Sequence, residues 1–197
     1  MTQTLEDLLD ALEDVDDATR EEAAKALAER AEPSTLDALI RACGDDFWSV
    51  RAYAGCGAAK IGGPKATEAL IGLFNDPIME VRNQVVDAVA TMGPVVLDRL
   101  IGALKDERWR VREHAAKAAG GIKNPKAVDA LIAACRDRDG AVKSAAAEAL
   151  GKIGDAKAVP ALIKLFRDSS KIVRETAGTA LVYIGQPSVD ALIENLR

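Results

Sequence analysis

The chain has 197 residues, of which 49% are apolar but only 4% aromatic, and its formal net charge is −5. An acidic balance disfavours a nucleic-acid backbone as partner, because that binding rests on neutralising phosphates. No apolar run approaches the ~20 residues of a membrane span. The opening MTQTLEDLLD lacks the basic flank and apolar core of a secretory signal. Three cysteines without paired spacing suit a reducing compartment, so the expected location is the cytoplasm.

In chain order, Leu5, Leu8, Leu9 and Leu12 mark an amphipathic helix over residues 4–14, with Glu6, Asp7, Asp10, Glu13 and Asp14 on its solvated face. Six copies of one helix pair follow. Each carries a Val-Arg pair or its equivalent: Thr19-Arg20, Val50-Arg51, Val81-Arg82, Val111-Arg112, Val142-Lys143 and Val173-Arg174, at intervals of 31, 31, 30, 31 and 31. The repeats are bounded at 19–44, 50–75, 81–105, 111–136, 142–167 and 173–197.

Counting from this pair, apolar or small residues fall at offsets 0, 4, 8 and 11, as in Val50, Ala54, Ala58 and Ile61, which lines one face of a first helix. Gly62, Gly93, Gly154 and Gly185 share a column where a left-handed residue ends that helix. The fourth repeat has Lys123-Asn124 there, and asparagine is expected to take the glycine's role. The second helices repeat the first stripe of Leu36, Leu39, Ile40 and Cys43, and Pro33, Pro64, Pro94 and Pro125 stand just before four of them. The one-residue shortening falls in the turn around Met92-Gly93-Pro94.

A helix pair of this size cannot bury its apolar stripe alone, so copies must stack. The fold class that follows is all-α, a right-handed α-solenoid of six helix pairs plus an N-terminal capping helix, forming a single domain over residues 1–197. The unpaired first helix is expected to cap a complete array.

The pattern V-R-x-x-A-A-x-A-L-G-x-I-G-D-x-x-A-V-x-x-L-I, best matched at Val142–Phe166 and Val111–Cys135 and loosely from Thr19 to Leu196, resembles the HEAT-like repeat of the phycobilisome-lyase type. The resemblance implies that the Val-Arg helices line a concave surface. Its family includes bilin lyase subunits, enzyme-associated domains and interaction modules. It therefore carries an alternative function, a bilin lyase-like subunit binding a tetrapyrrole and a phycobiliprotein. A HEAT-like nucleic-acid glycosylase shares only the superhelix and is disfavoured by the acidic balance. Deoxyhypusine hydroxylases, which hold iron with several His-Glu pairs, are excluded by the single histidine.

The columns left over by the core stripe are the two before the pair and offsets 2, 3, 6 and 10. Two before it stand Asp17, Trp48, Met79, Trp109, Gly140 and Lys171. Both tryptophans fall in this one column with Met79 between them, residue types over-used at interface centres. Offset 3 brings Tyr53, Gln84 and His114 beside them, with Asn83, Arg110 and Glu113 adjoining. The expected partner-binding set is therefore Trp48, Tyr53, Met79, Asn83, Gln84, Trp109, Arg110, Glu113 and His114.

Cys43 and Cys135 share a column with Phe74, Leu104, Phe166 and Leu196, which makes them core thiols. Cys56 falls in an outward column, a possible reactive thiol if Lys25, Lys60 or Arg51 lowers its pKa, and is expected to be the one cysteine that labels quickly. The column Arg20, Arg51, Arg82, Arg112, Lys143, Arg174 answers Asp46, Asp76, Asp106, Asp137 and Asp168 in the turns, an inter-repeat ion-pair ladder. The outward columns hold nine acids against six bases. Arg108, Arg110, Arg112 and Lys117 form the one local basic cluster, suited to an acidic edge on a protein.

One imidazole beside one carboxylate does not make a metal site, and no phosphate loop, nucleophile motif or dinucleotide fingerprint is present. No cofactor is implied. The function expected from the residues is a non-enzymatic scaffold, a monomer, that binds another protein on its concave face.

Overall fold

The computed structural model describes residues 3–195, without the side chains of 190–192, 194 and 195. Leu196, expected at a core position, lies outside the described residues. Among the described residues there are thirteen α-helices and no strands. Their contacts gather into two compact units, residues 1–92 and 93–197.

The first unit contains α1 (Leu5–Ala11), α2 (Asp17–Arg30), α3 (Leu36–Ala42), α4 (Trp48–Ile61), α5 (Gly63–Leu73) and α6 (Met79–Thr91). Thr4 starts α1 with a reciprocal cap, its hydroxyl accepting from the Asp7 N–H at 3.1 Å while the Asp7 carboxylate accepts from the Thr4 N–H at 2.8 Å. Asp16 caps α2 through the Thr19 N–H at 2.9 Å. Helices α2, α4 and α6 pack side by side in one layer, and α1, α3 and α5 back them in the other. Leu8, Leu27, Leu39, Val50 and Ala54 are fully buried between the layers.

The second unit repeats the scheme with α7 (Leu97–Ala103), α8 (Trp109–Ile122), α9 (Val128–Ala134), α10 (Gly140–Ile153), α11 (Val159–Leu165), α12 (Lys171–Ile184) and α13 (Gln186–Asn195). Here α8, α10 and α12 form the first layer, and α7, α9 and α11 the second.

Small residues set how closely first-layer helices approach. A methyl built on Gly57 would lie 2.9 Å from the Ala28 Cα, on Gly120 2.7 Å from the Ala149 Cα, and on Gly151 2.8 Å from the Ala180 Cα. These three crossings each pair one glycine with one alanine, whereas on the α6 side of α4 Gly55 faces the Val85 and Leu73 side chains.

The structure adds detail that the columns did not specify and corrects the role expected of Asn124. The first helices open two residues before the Val-Arg pair, so Trp48, Met79 and Trp109 are N-terminal helical residues. A short 3-10 turn precedes the second helix in four repeats, at Pro33–Thr35, Gly93–Val96, Pro125–Ala127 and Ala156–Ala158. The left-handed residue of the fourth repeat is Lys123, at φ 55°, rather than Asn124. Asn124 instead caps the following turn through the Lys126 N–H at 2.9 Å, and a side-chain acceptor is more useful there than at the helix end. The first repeat likewise uses Ala31, at φ 48°.

Phe166 is 40% exposed although its column is buried at Phe74 and Leu104. Its ring lies beside Gly178, where there is no side chain to cover it. Cys43 is half-buried against the first core and Cys135 is buried, and burial pushes both thiols up to about 12.

Two substitutions test this packing. Gly120→Ala must displace the Ala149 backbone and is expected to destabilise by about 1–3 kcal/mol. Lys123→Gly relieves a left-handed conformation that costs an L-residue about 1 kcal/mol and is expected to stabilise by roughly 0.5–1 kcal/mol. Urea unfolding midpoints moving down and up respectively would bear this out; equal midpoints would contradict it.

Candidate functional site

In three repeats one arginine, Arg20, Arg51 or Arg112, holds the turn before its own first helix and reaches the turn that follows. In the first unit, the Arg51 guanidinium donates from Nη1 to the carbonyls of Asp45 (2.8 Å) and Asp46 (3.0 Å) in its own preceding turn. Its Nε and Nη2 pair with the two carboxylate oxygens of Asp76 in the next turn, at 2.6 and 2.9 Å. The Asp76 carboxylate in turn accepts the Ile78 N–H at 2.9 Å. Arg20 grips Asp45 in the same bidentate way, and in the second unit Arg112 grips Asp137. Lys143 pairs with Asp168.

The partner of Arg20 is thus Asp45 and not Asp46, because Asp45 is the residue that also receives the N–H two positions on. Arg82 donates to the carbonyls of Asp76 and Pro77 at 2.6 and 3.0 Å. Asp106 is held by Arg108 of its own turn, with both contacts at 2.9 Å.

Charged hydrogen bonds hold Asp45, Asp106, Asp137 and Asp168 below the usual carboxylate range. The Arg108 guanidinium, with the Arg108 N–H, brings Asp106 down to about 2. Burial works against ionisation at Asp45 and Asp137, but hydrogen bonds from Arg20 and Arg112 outweigh it and leave both below the usual carboxylate range.

The clamped turns present the first helical residue to solvent. In the first unit Trp48 is 38% and Met79 56% exposed, and Asn83 and Gln84 on α6 are exposed as well. Trp48 forms one wall of a cavity of about 500 Å³ shared with Asp46, Phe47, Arg51, Asp76 and Pro77. In the second unit Trp109 is 39% exposed, with the Arg110 guanidinium 4.9 Å above its ring centre. Glu113 is half-buried and bonds to Lys117 at 2.7 Å.

Three expected residues are placed differently. His114 is 2% exposed, with Nδ1 2.7 Å from the Arg110 carbonyl. Tyr53 is half-buried and packs against the first core. Both sit at offset 3, the same column as the exposed Gln84, so burial in this column changes from repeat to repeat and a column alone does not decide it. Cys56 does lie on the outward stripe, but it is half-buried, and burial raises its thiol despite the opposing Lys60 charge. A raised pKa removes the thiolate that a reactive cysteine needs.

The structure adds surfaces that the residue columns did not indicate. In the second unit a groove of about 670 Å³ runs along α10 and α12, between Glu148, Lys152, Glu175, Thr179 and Tyr183. An apolar cavity of about 740 Å³ opens between Phe166, Leu181, Val182 and Val189. Their signal was the outward Tyr183 and Val182, where earlier repeats carry polar or small residues. Among the described residues no group of three metal-ligating side chains occurs, and no helix is long and apolar enough to cross a membrane.

A family model described as HEAT repeats matches residues 5–90, 73–146, 97–182 and 128–197. The chain belongs to the HEAT-repeat family. This HEAT-repeat chain is an all-α solenoid, a fold whose stacked repeats supply extended binding surfaces. It is similar to the complex of CpcE and CpcF of phycocyanin lyase from Nostoc sp. PCC7120, with a TM-score of 0.59 and 22% identity over 76% of this chain and 99% of that one. It is similar to the Escherichia coli protein YibA, with a TM-score of 0.57 and 20% identity over 98% of this chain and 75% of that one. An engineered protein matches with a TM-score of 0.51 at 22% identity, over 93% of this chain and 99% of that one. At these identities the likeness concerns the fold. The comparison with curated proteins gives no match.

The clamp predicts the acid limit of stability. Carboxylates whose folded pKa is depressed contribute stability that is complete above their unfolded value near 4 and is lost as pH falls through the folded value. Helicity should hold a plateau above about pH 5 and fall between about pH 4 and 2. A transition centred above pH 5 would contradict the account.

Proposed function

We propose that this HEAT-repeat protein is a non-enzymatic scaffold that binds another protein on the face formed by the first turns of its first-layer helices. The observation that carries the reading is the exposure of Trp48 and Met79 in one unit and of Trp109 in the other, each at the N-terminus of a helix whose turn is pinned by charged hydrogen bonds. Large apolar side chains held on a stiff frame lose little entropy on binding. In the first unit Asn83 and Gln84 supply directional hydrogen bonds beside Met79. In the second, Arg110 and Glu113 supply charge beside Trp109. His114 and Tyr53 act behind the surface as packing.

The bilin lyase-like reading has the phycocyanin lyase structure as a fold relative. On this chain it would draw on His114 and Cys56 to hold a tetrapyrrole, and those are a buried imidazole and a thiol raised by burial. The scaffold reading needs neither.

The test is capture from native lysate by wild type, by Trp48→Ala/Met79→Ala and by Trp109→Ala, with helicity checked for each. Loss of one captured protein by at least tenfold in a variant of native helicity would locate the face, since interface-centre aromatics are commonly worth ~2 kcal/mol or more. Retention by all three would overturn it, and a coloured ligand bound to wild type would favour the tetrapyrrole reading.

A further inference from the structure

The two tryptophans occupy the same place in their repeats, and their surroundings differ in one respect. Around Trp109 the frame is filled by the protein's own arginines. Arg110 stacks on the indole at 4.9 Å, Arg108 chelates Asp106, and Arg138 reaches the Glu107 carbonyl at 3.5 Å. The matching positions around Trp48 hold Ser49, Phe47 and Pro77. The same backbone frame in the second repeat therefore has an indole, carboxylates and carbonyls but no cation of its own above the ring.

What is left there is an open cavity of about 500 Å³ with Trp48 as one wall. Asp45 and Asp76 are engaged by Arg20 and Arg51. The exposed Asp46 carboxylate forms no ion pair among the described residues, although it lies in the field of Arg51, which is bound to Asp76 on the cavity wall, and no cation stands over Trp48 among them. The wider charge agrees in sign. Residues 1–92 carry 18 Asp and Glu against 8 Lys and Arg, a net −10, whereas residues 93–197 carry 13 against 18, a net +5. The first unit accounts for all of the chain's acidity and attracts cationic segments over a distance comparable to the Debye length.

We propose that the Trp48 cavity receives an arginine side chain of the partner protein, its guanidinium stacked on the indole and paired with Asp46. The recognition reproduces between molecules what Arg110 and Trp109 do within the second unit. A planar guanidinium suits this site better than an ammonium, because it stacks on the ring face and still presents N–H groups at its edge to a carboxylate. The inference rests on the reading that this face binds a protein, and it names the residue type that the first unit recognises.

The test uses the full chain carrying Trp109→Phe, so that Trp48 is the sole tryptophan, titrated with the peptide acetyl-Gly-Arg-Gly-amide. Saturable change of Trp48 emission with Kd on the order of 10 mM is expected from one stacked and paired cation. Asp46→Asn, an exposed position, should weaken it about fivefold. The lysine peptide should bind more weakly and the neutral citrulline isostere not at all. An equal response to citrulline, or no response to the arginine peptide up to roughly fivefold that concentration, would overturn the proposal. A captured partner that is lost on Trp48→Ala/Met79→Ala but not competed by the arginine peptide would leave the binding face standing and remove arginine as its target.

Discussion

A turn between stacked helices exposes carbonyls that the helices cannot satisfy, and in this chain one guanidinium meets that need while tying the turn to its neighbour. Arg51 takes two carbonyls of its own turn and both oxygens of Asp76 in the next, and its side chain and that of Asp76 are only 11% and 4% exposed. Bidentate charged hydrogen bonds of this kind are short and directional, and removing either partner would leave the other charge buried and unpaired. The inter-repeat lysine pairs on the second helices, Lys65 with Asp37 and Lys157 with Asp129, have side chains more than 60% exposed and contribute little by comparison. The clamp therefore fixes the turn, the turn fixes where the first helix begins, and that sets the direction of Trp48 and Met79.

Much of this was legible in the sequence because a repeat writes each structural role several times. The 31-residue interval, the Val-Arg pairs and the apolar offsets gave the helices, the layers and the ladder partners, since Arg51 with Asp76 and Arg112 with Asp137 recur at one spacing. The same spacing of 25 residues also selects Asp45 over the adjacent Asp46 as the partner of Arg20. Columns failed where a single position was decided by three-dimensional proximity. Lys123 adopts a left-handed backbone because Asn124 has a better use for its side chain in the next turn.

The candidate site was legible in part for the same reason. A helix wheel divides residues into inward and outward, and offset 2 and offset 3 both read as outward. In a layer of helices whose approach is set by Gly57 on Ala28 or Gly120 on Ala149, the flank of a helix is covered in some repeats and open in others, as at Gln84. His114 and Tyr53 fall on that flank, while Trp48, Met79 and Asn83 fall on the open stripe. The cation above Trp109 was invisible to column reasoning because it depends on the rotamer of the adjacent Arg110.

The central claim is that a partner engages the clamped first turns of the first-layer helices. Hydroxyl-radical footprinting of the free protein and of its complex with the captured partner tests it most directly, because tryptophan and methionine are among the side chains it modifies fastest. The account predicts that Trp48 and Met79 become protected in the complex while Phe166 and Val189 at the other apolar surface stay as reactive as in the free chain. Protection of Phe166 and Val189 with Trp48 and Met79 unchanged would contradict it.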